Sequence, residues 1–162
     1  MGDMAKRVWI YSVFVVVACG LWLYTHSETA KVRRVFDETA RLMCKEPTES
    51  VMEGAVRAKA LGALLSRGGC RFEMREFGQA AKVTGEGFAG SALVFRNEAR
   101  CVKVEFRDLA VTVGGGVASV GGQVDFSGTD AHVPLAPPLV RAFTAALAKE
   151  DGAWRFTECV VR

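Results

Sequence analysis

From Glu28 to Lys45 the apolar residues Val32, Val35, Phe36, Leu42 and Met43 recur at a spacing that gathers them on one face of an α-helix, and Thr39 fills the same stripe. The pattern predicts an amphipathic helix ended by Pro47. Thr25 and Glu28 are placed to form its capping box, unless the helix continues straight out of the apolar segment before it. Ser50 and Glu53 repeat the capping-box signature ahead of a second helix to about Leu65, and Gly68 and Gly69 stop that one.

Beyond these glycines the period drops to two. Cys70, Phe72 and Met74 alternate with Arg71, Glu73 and Arg75, which predicts a short strand buried on one face. Residues 78–100 hold Gly85, Gly87 and Gly90 and support no more than a short helix from Phe88 to Phe95. Val102, Val104 and Phe106 then alternate with Lys103, Glu105 and Arg107. Leu109, Val111 and Val113 carry the apolar set onward one step out of phase, so a β-bulge is expected near Arg107 and Asp108. Gly114 to Gly116 turn the chain into a strand from Val117 to Ser127. After a loop holding Pro134, Pro137 and Pro138, a long strand runs from Leu139 to about Lys149, and Asp151-Gly152 joins it to a last strand from Trp154 to Val161. The second half therefore reads as a meander of long antiparallel strands. Lys103 and Arg155 fall on the outward positions of those strands, as cations available to a protein partner.

A different pattern fills the N-terminus. Residues 8–25 carry no charge, with Lys6 and Arg7 just before them and Glu28 and Lys31 after. As a helix this run would extend about 27 Å, close to the thickness of a hydrocarbon core. Within it Val16, Val17, Ala18 and Cys19 resemble the lipobox of bacterial lipoprotein signal peptides, so lipidation at Cys19 and a buried core helix are the alternatives to an uncleaved span. The span is favoured because Gly20 to Tyr24 stays apolar after the cysteine, and because Trp9 and Tyr11 at one end and Trp22 and Tyr24 at the other resemble two aromatic belts. Counted alone, Lys31, Arg33 and Arg34 on the far flank would hold the domain inside; retention of the short tail bearing Lys6 and Arg7 predicts the extracytoplasmic side. The chain divides into an anchor over residues 1–26 and an α+β domain over 27–162, with residues 8–25 as the membrane partner.

Composition narrows the function classes. The 162 residues have room for one domain besides the anchor. Lys and Arg number 21 against 18 Asp and Glu, interspersed in sign, so no basic stripe offers itself to nucleic acid. The five cysteines, Cys19, Cys44, Cys70, Cys101 and Cys159, include no pair at the close spacing of a zinc site. Neither a metal nor a cofactor is expected. In an oxidising compartment the four domain cysteines could form two disulfides. A helical hairpin would set Cys44 and Cys70 at opposite ends, which favours Cys101 with Cys159; the alternative is buried, reduced thiols.

The order of elements, together with the ending FTAALAKEDGAWRF from Phe143 to Phe156 and the hairpin from Leu109 to Phe126, resembles the nuclear transport factor two-like superfamily over residues 28–161. That resemblance implies N-terminal helices packed on a curved antiparallel sheet, a cone with an apolar cavity at its mouth, here preceded by one transmembrane helix. Phe36, Trp154 and Phe156 would line or floor the cavity. Some members are similar to ketosteroid isomerases and polyketide cyclases, which place an Asp, Tyr or His inside. Both tyrosines of this chain, Tyr11 and Tyr24, lie in the membrane segment, and His26 stands at its boundary. His132, in the Pro-rich loop, and Asp125, in phase with Ser119 and Gln123 on the outward side of its strand, are the remaining candidates for a catalytic base. The expected function is a membrane-anchored, non-catalytic scaffold or ligand-binding module with a protein partner, a second copy of itself or a small apolar ligand. The alternative is a membrane-tethered cavity enzyme of isomerase, cyclase or dehydratase type acting on a small hydrophobic substrate.

Overall fold

The computed structural model describes residues 15–17, 19–20, 23, 27–130 and 139–162. Most of the expected span over 8–25 lies outside the described residues, as do His26 and His132. Among the described residues no helix is long and apolar enough to cross a membrane.

Helix α1, Glu28–Met43, is capped by Ser27, whose side chain accepts from the Ala30 amide at 3.1 Å, and not by Thr25. Its stripe buries Val32, Phe36 and Leu42. Helix α2, Val51–Ala63, opens on the expected box: Glu53 N–H donates to the Ser50 hydroxyl at 3.3 Å and the Glu53 carboxylate accepts from Ser50 N–H at 2.9 Å. Gly69, at φ +86°, closes the following turn with a left-handed backbone that favours glycine.

Strand β1, Cys70–Met74, is followed by a 3-10 turn over Arg75–Phe77. The region that supported only a short helix holds strand β2, Gln79–Val83, and helix α3, Gly85–Glu98, capped by Thr84. Gly85 is what that helix needs against α2: a Cβ there would come within 2.5 Å of the Gly62 carbonyl oxygen, so the helices cross in close contact.

Strands β3 (Ala99–Gly114), β4 (Val117–Asp130), β5 (Leu139–Glu150) and β6 (Ala153–Val161) form the antiparallel meander. The sheet order is β2-β1-β6-β5-β4-β3. It is mixed, not purely antiparallel as expected, because β1 runs parallel to β6. The chain leaves α2 already alongside the last strand, with Leu65 bridged in parallel to Phe156, and this fixes the direction in which β1 enters.

Asp108, at φ 53°, sits in the expected bulge where the β3–β4 register shifts between Arg107 and Ala110. The shift returns Leu109, Val111 and Val113 to the face that holds Val104 and Phe106. A second irregularity between β5 and β6 does the same for β6, where Trp154 and Phe156 give way to Cys159 and Val161. Both bulges bend the sheet about the helices. On its concave side Phe36 meets Phe106, Phe143 and Phe156 with ring centroids 5.2 to 5.7 Å apart.

Candidate functional site

The two ends of the molecule differ in construction. At one end the first residue of α1 is tied to the β5–β6 hairpin: Glu28 accepts from Lys31 at 2.8 Å, from Lys149 at 3.0 Å and from the Trp154 indole at 2.9 Å. These bonds hold its carboxyl down to about 2. The tight turns at Gly115-Gly116 and Asp151-Gly152 close this end, each residue at positive φ as a twisted hairpin requires.

The opposite end is where α1 finishes, β3 and β5 begin, β4 finishes and the 3-10 turn follows β1. A reciprocal clamp fixes its helical side. Arg96 of α3, 3% exposed, donates to the carbonyls of Leu42, Met43 and Cys44 at 2.7 to 3.2 Å and pairs with the buried carboxylate of Glu49. Lys45, just past α1, returns the favour to α3 through the carbonyls of Arg96 and Ala99. Each helix C-terminus, the negative end of its dipole, thus receives a cation from the other segment.

Among the described side chains, the concave sheet positions of this end are apolar apart from Arg141. Paired residues of neighbouring strands share a face, so the pairings Val104 with Phe126, Phe106 with Val124, Phe126 with Leu139 and Val124 with Arg141 set Arg141 among concave, core-facing positions. Its guanidinium reaches across to the 3-10 turn and donates through Nε and Nη2, at 3.2 and 2.9 Å, to a single oxygen of Glu76. Around it Met74, Phe77, Phe95 and Leu139 are 43% to 66% exposed. Phe95 lies 6.0 Å from Phe126 by ring centroid. Large apolar side chains this exposed around one cation mark the open end as the candidate site.

The residues expected to carry function stand elsewhere. Asp125 occupies the convex face opposite Glu105, and its carboxylate pairs with Arg107 at 3.0 Å. The outward phase read from the strand is therefore retained, and curvature of the sheet does not reverse it. Phe36, Trp154 and Phe156 do not line an open cavity: all are at most 7% exposed and pack into the core cluster. Arg155 is not a free surface cation, since it donates to the Ala63 carbonyl at the end of α2 and faces Glu150. Lys103 remains exposed.

The geometry does not join Cys101 to Cys159. They lie on β3 and β6 with β4 and β5 between them, about three strand spacings or 14 Å, far beyond disulfide reach. Each is a free thiol. Burial first, then Cys159 and Glu158 nearby, push the Cys70 thiol up to about 12, and burial pushes Cys159 up to about 11. Cys101 contacts the Thr129 hydroxyl at 3.0 Å and, with Cys44, Lys45 and Glu46, borders an open groove of about 460 Å³ at the β3 edge. Lys45 in that groove is spent on the carbonyls of Arg96 and Ala99. Among the described residues no group of His, Cys, Asp and Glu is placed to hold a metal ion.

Sequence reasoning missed Arg141, Glu76 and Arg96. The signal for Arg141 was present in its phase with Phe143, two residues on, which the alternation rule assigns to the same face.

No protein-family model and no curated protein matches this chain. Solved structures do. A candidate scytalone dehydratase from Novosphingobium aromaticivorans is 14% identical, with a TM-score of 0.65 over 83% of both chains. A nuclear-transport-factor-two-like protein with a cystatin-like fold from the same organism is 15% identical, with a TM-score of 0.61 over 90% of this chain and 86% of that one. A candidate association domain of calcium/calmodulin-dependent protein kinase II from Xanthomonas campestris is 14% identical, with a TM-score of 0.62 over 85% and 88%. At such identities the likeness carries the fold and nothing finer: three helices on a six-stranded mixed, curved sheet, the nuclear transport factor two-like α+β fold.

Proposed function

We propose that this chain is a membrane-anchored, non-catalytic binding module whose working surface is the open end of the cone. One observation carries the reading. The three carboxylates tied into the framework of the cone are each held by a cation: Glu28 by Lys31 and Lys149, Glu49 by Arg96 and Arg57, Glu76 by Arg141. A general base in a cone needs a free acceptor near the reacting proton, and Asp125 faces away on the convex side, bound to Arg107. What the open end offers instead is exposed apolar surface.

Residues 8–25 are the proposed anchor, with the domain on the extracytoplasmic side. Ser27 and Glu28 lie at the hairpin-turn end, so a span entering there would turn the open end away from the bilayer, toward a partner or ligand in solution. Retention in the membrane pellet after alkaline carbonate extraction, with no labelled palmitate on Cys19, is expected; label lost on Cys19→Ser would replace the span by a lipid anchor.

The cavity enzyme stays as a second reading because the fold is shared with a candidate dehydratase as well as a candidate association domain. A strain carrying only the Asp125→Asn, His132→Ala double variant decides between them. Wild-type phenotype supports the binding module. A null phenotype with folded, membrane-bound protein establishes the enzyme.

A further inference from the structure

The two arginines of the open end are used differently, and the difference has chemical content. Arg96 spends its donors on three carbonyls and both oxygens of buried Glu49. Arg141 does not. Two of its nitrogens converge on one oxygen of Glu76, a residue about half exposed on a three-residue turn, and Nη1 donates to the carbonyl of the preceding residue, Val140, at 3.3 Å. The guanidinium fork suits the two oxygens of a carboxylate bidentately. Glu76 engages it through a single oxygen from solvent, a geometry of small net worth.

From this arrangement we propose that the open end binds an amphipathic monocarboxylate, its carboxylate taken by Arg141 and its apolar body laid over Met74, Phe95, Phe126 and Leu139. The inference rests on the binding-module reading and names the ligand class of that site. The charge sign follows from Arg141, the cation that the strand register sets in this apolar rim. A compact body follows from the core behind it, where Phe36, Phe106 and Phe143 are already in ring contact and leave the rim, not the depth, to the ligand. Glu76 acts as the stand-in that the ligand displaces. Its exposed turn ends at Gly78, φ +60°, and moving its side chain into water costs little.

The test uses the full chain in lipid nanodiscs with methyl-labelled methionine, titrated with octanoate and with octanol. Met74 reports on the rim, and Met52, exposed at the start of α2 and outside the proposed lining, reports nonspecific partition. Octanoate is expected to move the Met74 methyl saturably, about tenfold more tightly than octanol, and to leave Met52 in place. Arg141→Gln should abolish that preference without weakening octanol. Glu76→Gln, at an exposed position, should tighten octanoate by roughly threefold by freeing the fork. Equal binding of the two probes, or octanoate weakened by Glu76→Gln, overturns the carboxylate assignment and leaves an apolar binding surface. Met74 unmoved by either probe removes the ligand site altogether, and the double-variant phenotype above then still decides between scaffold and enzyme.

Discussion

Arg96→Met replaces a buried guanidinium by an apolar chain of similar reach, and the cost can be worked from its partners. Glu49, 3% exposed at its side chain, would keep only Arg57 at 3.6 Å, and the carbonyls of Leu42, Met43 and Cys44 would lose the donor that satisfies them. Stranding one member of a buried ion pair costs about 3 to 5 kcal/mol. An unsatisfied buried carbonyl adds about 1 kcal/mol. Groups sharing one partner do not add fully, since Cys44 O also accepts from Arg57 and water can enter, so a loss of about 4 kcal/mol is expected. Adding Glu49→Leu should recover part of it, roughly 2 kcal/mol, because the stranded charge is gone while the carbonyls remain bare. Urea unfolding of the full chain followed by circular dichroism measures both. A loss below about 1 kcal/mol for Arg96→Met would mean that the guanidinium is solvated and that no clamp joins α1 to α3.

Trp154→Ala should cost roughly 3 to 5 kcal/mol, as large aromatic truncations in cores do, and a loss under about 1 kcal/mol would expose the ring as surface. Glu28, depressed to about 2 from an ordinary 4.5, contributes stability that is complete above about pH 4.5 and drains away as pH falls toward 2. Glu28→Gln should therefore flatten stability against pH in that window, and an unchanged acid slope would place the carboxylate outside its bonds to Lys31, Lys149 and Trp154. The raised thiols predict that Cys70 and Cys159 resist a maleimide at pH 8 in the native state and react on unfolding, whereas Cys101 is labelled natively; fast native labelling of Cys70 contradicts its burial.

Local signals were legible along the chain and long-range ones were not. Ser50 with Glu53, the phase slip at Arg107 and Asp108, and the Asp151-Gly152 turn each encode their geometry within a few residues, and each is present. The parallel entry of β1 beside β6 depends on where α2 delivers the chain, which no window around Cys70 contains. Strand β2 has no buried face, its positions being exposed up to half-buried Val83, so it left no alternation to read. Helix α3 hid behind its glycines, of which Gly85 serves close approach to Gly62 rather than helix propensity. The burial of Arg96 is set by a partner far away in sequence, Glu49, whereas the face of Arg141 follows from its phase with Phe143 and was obscured because charge alone argued for surface. Asp125 was assigned to the correct face because period two fixes facing along a strand once one neighbour is known to be core.

The most direct measurement places one pair of variants in a strain lacking the native chain. Phe77→Asp with Phe95→Asp puts charge on the exposed rim of the open end, at 66% and 43% exposure, without entering the core. If the open end is the working surface, that pair, folded by circular dichroism, yields the null phenotype. Wild-type behaviour of the Phe77→Asp, Phe95→Asp chain would contradict the account.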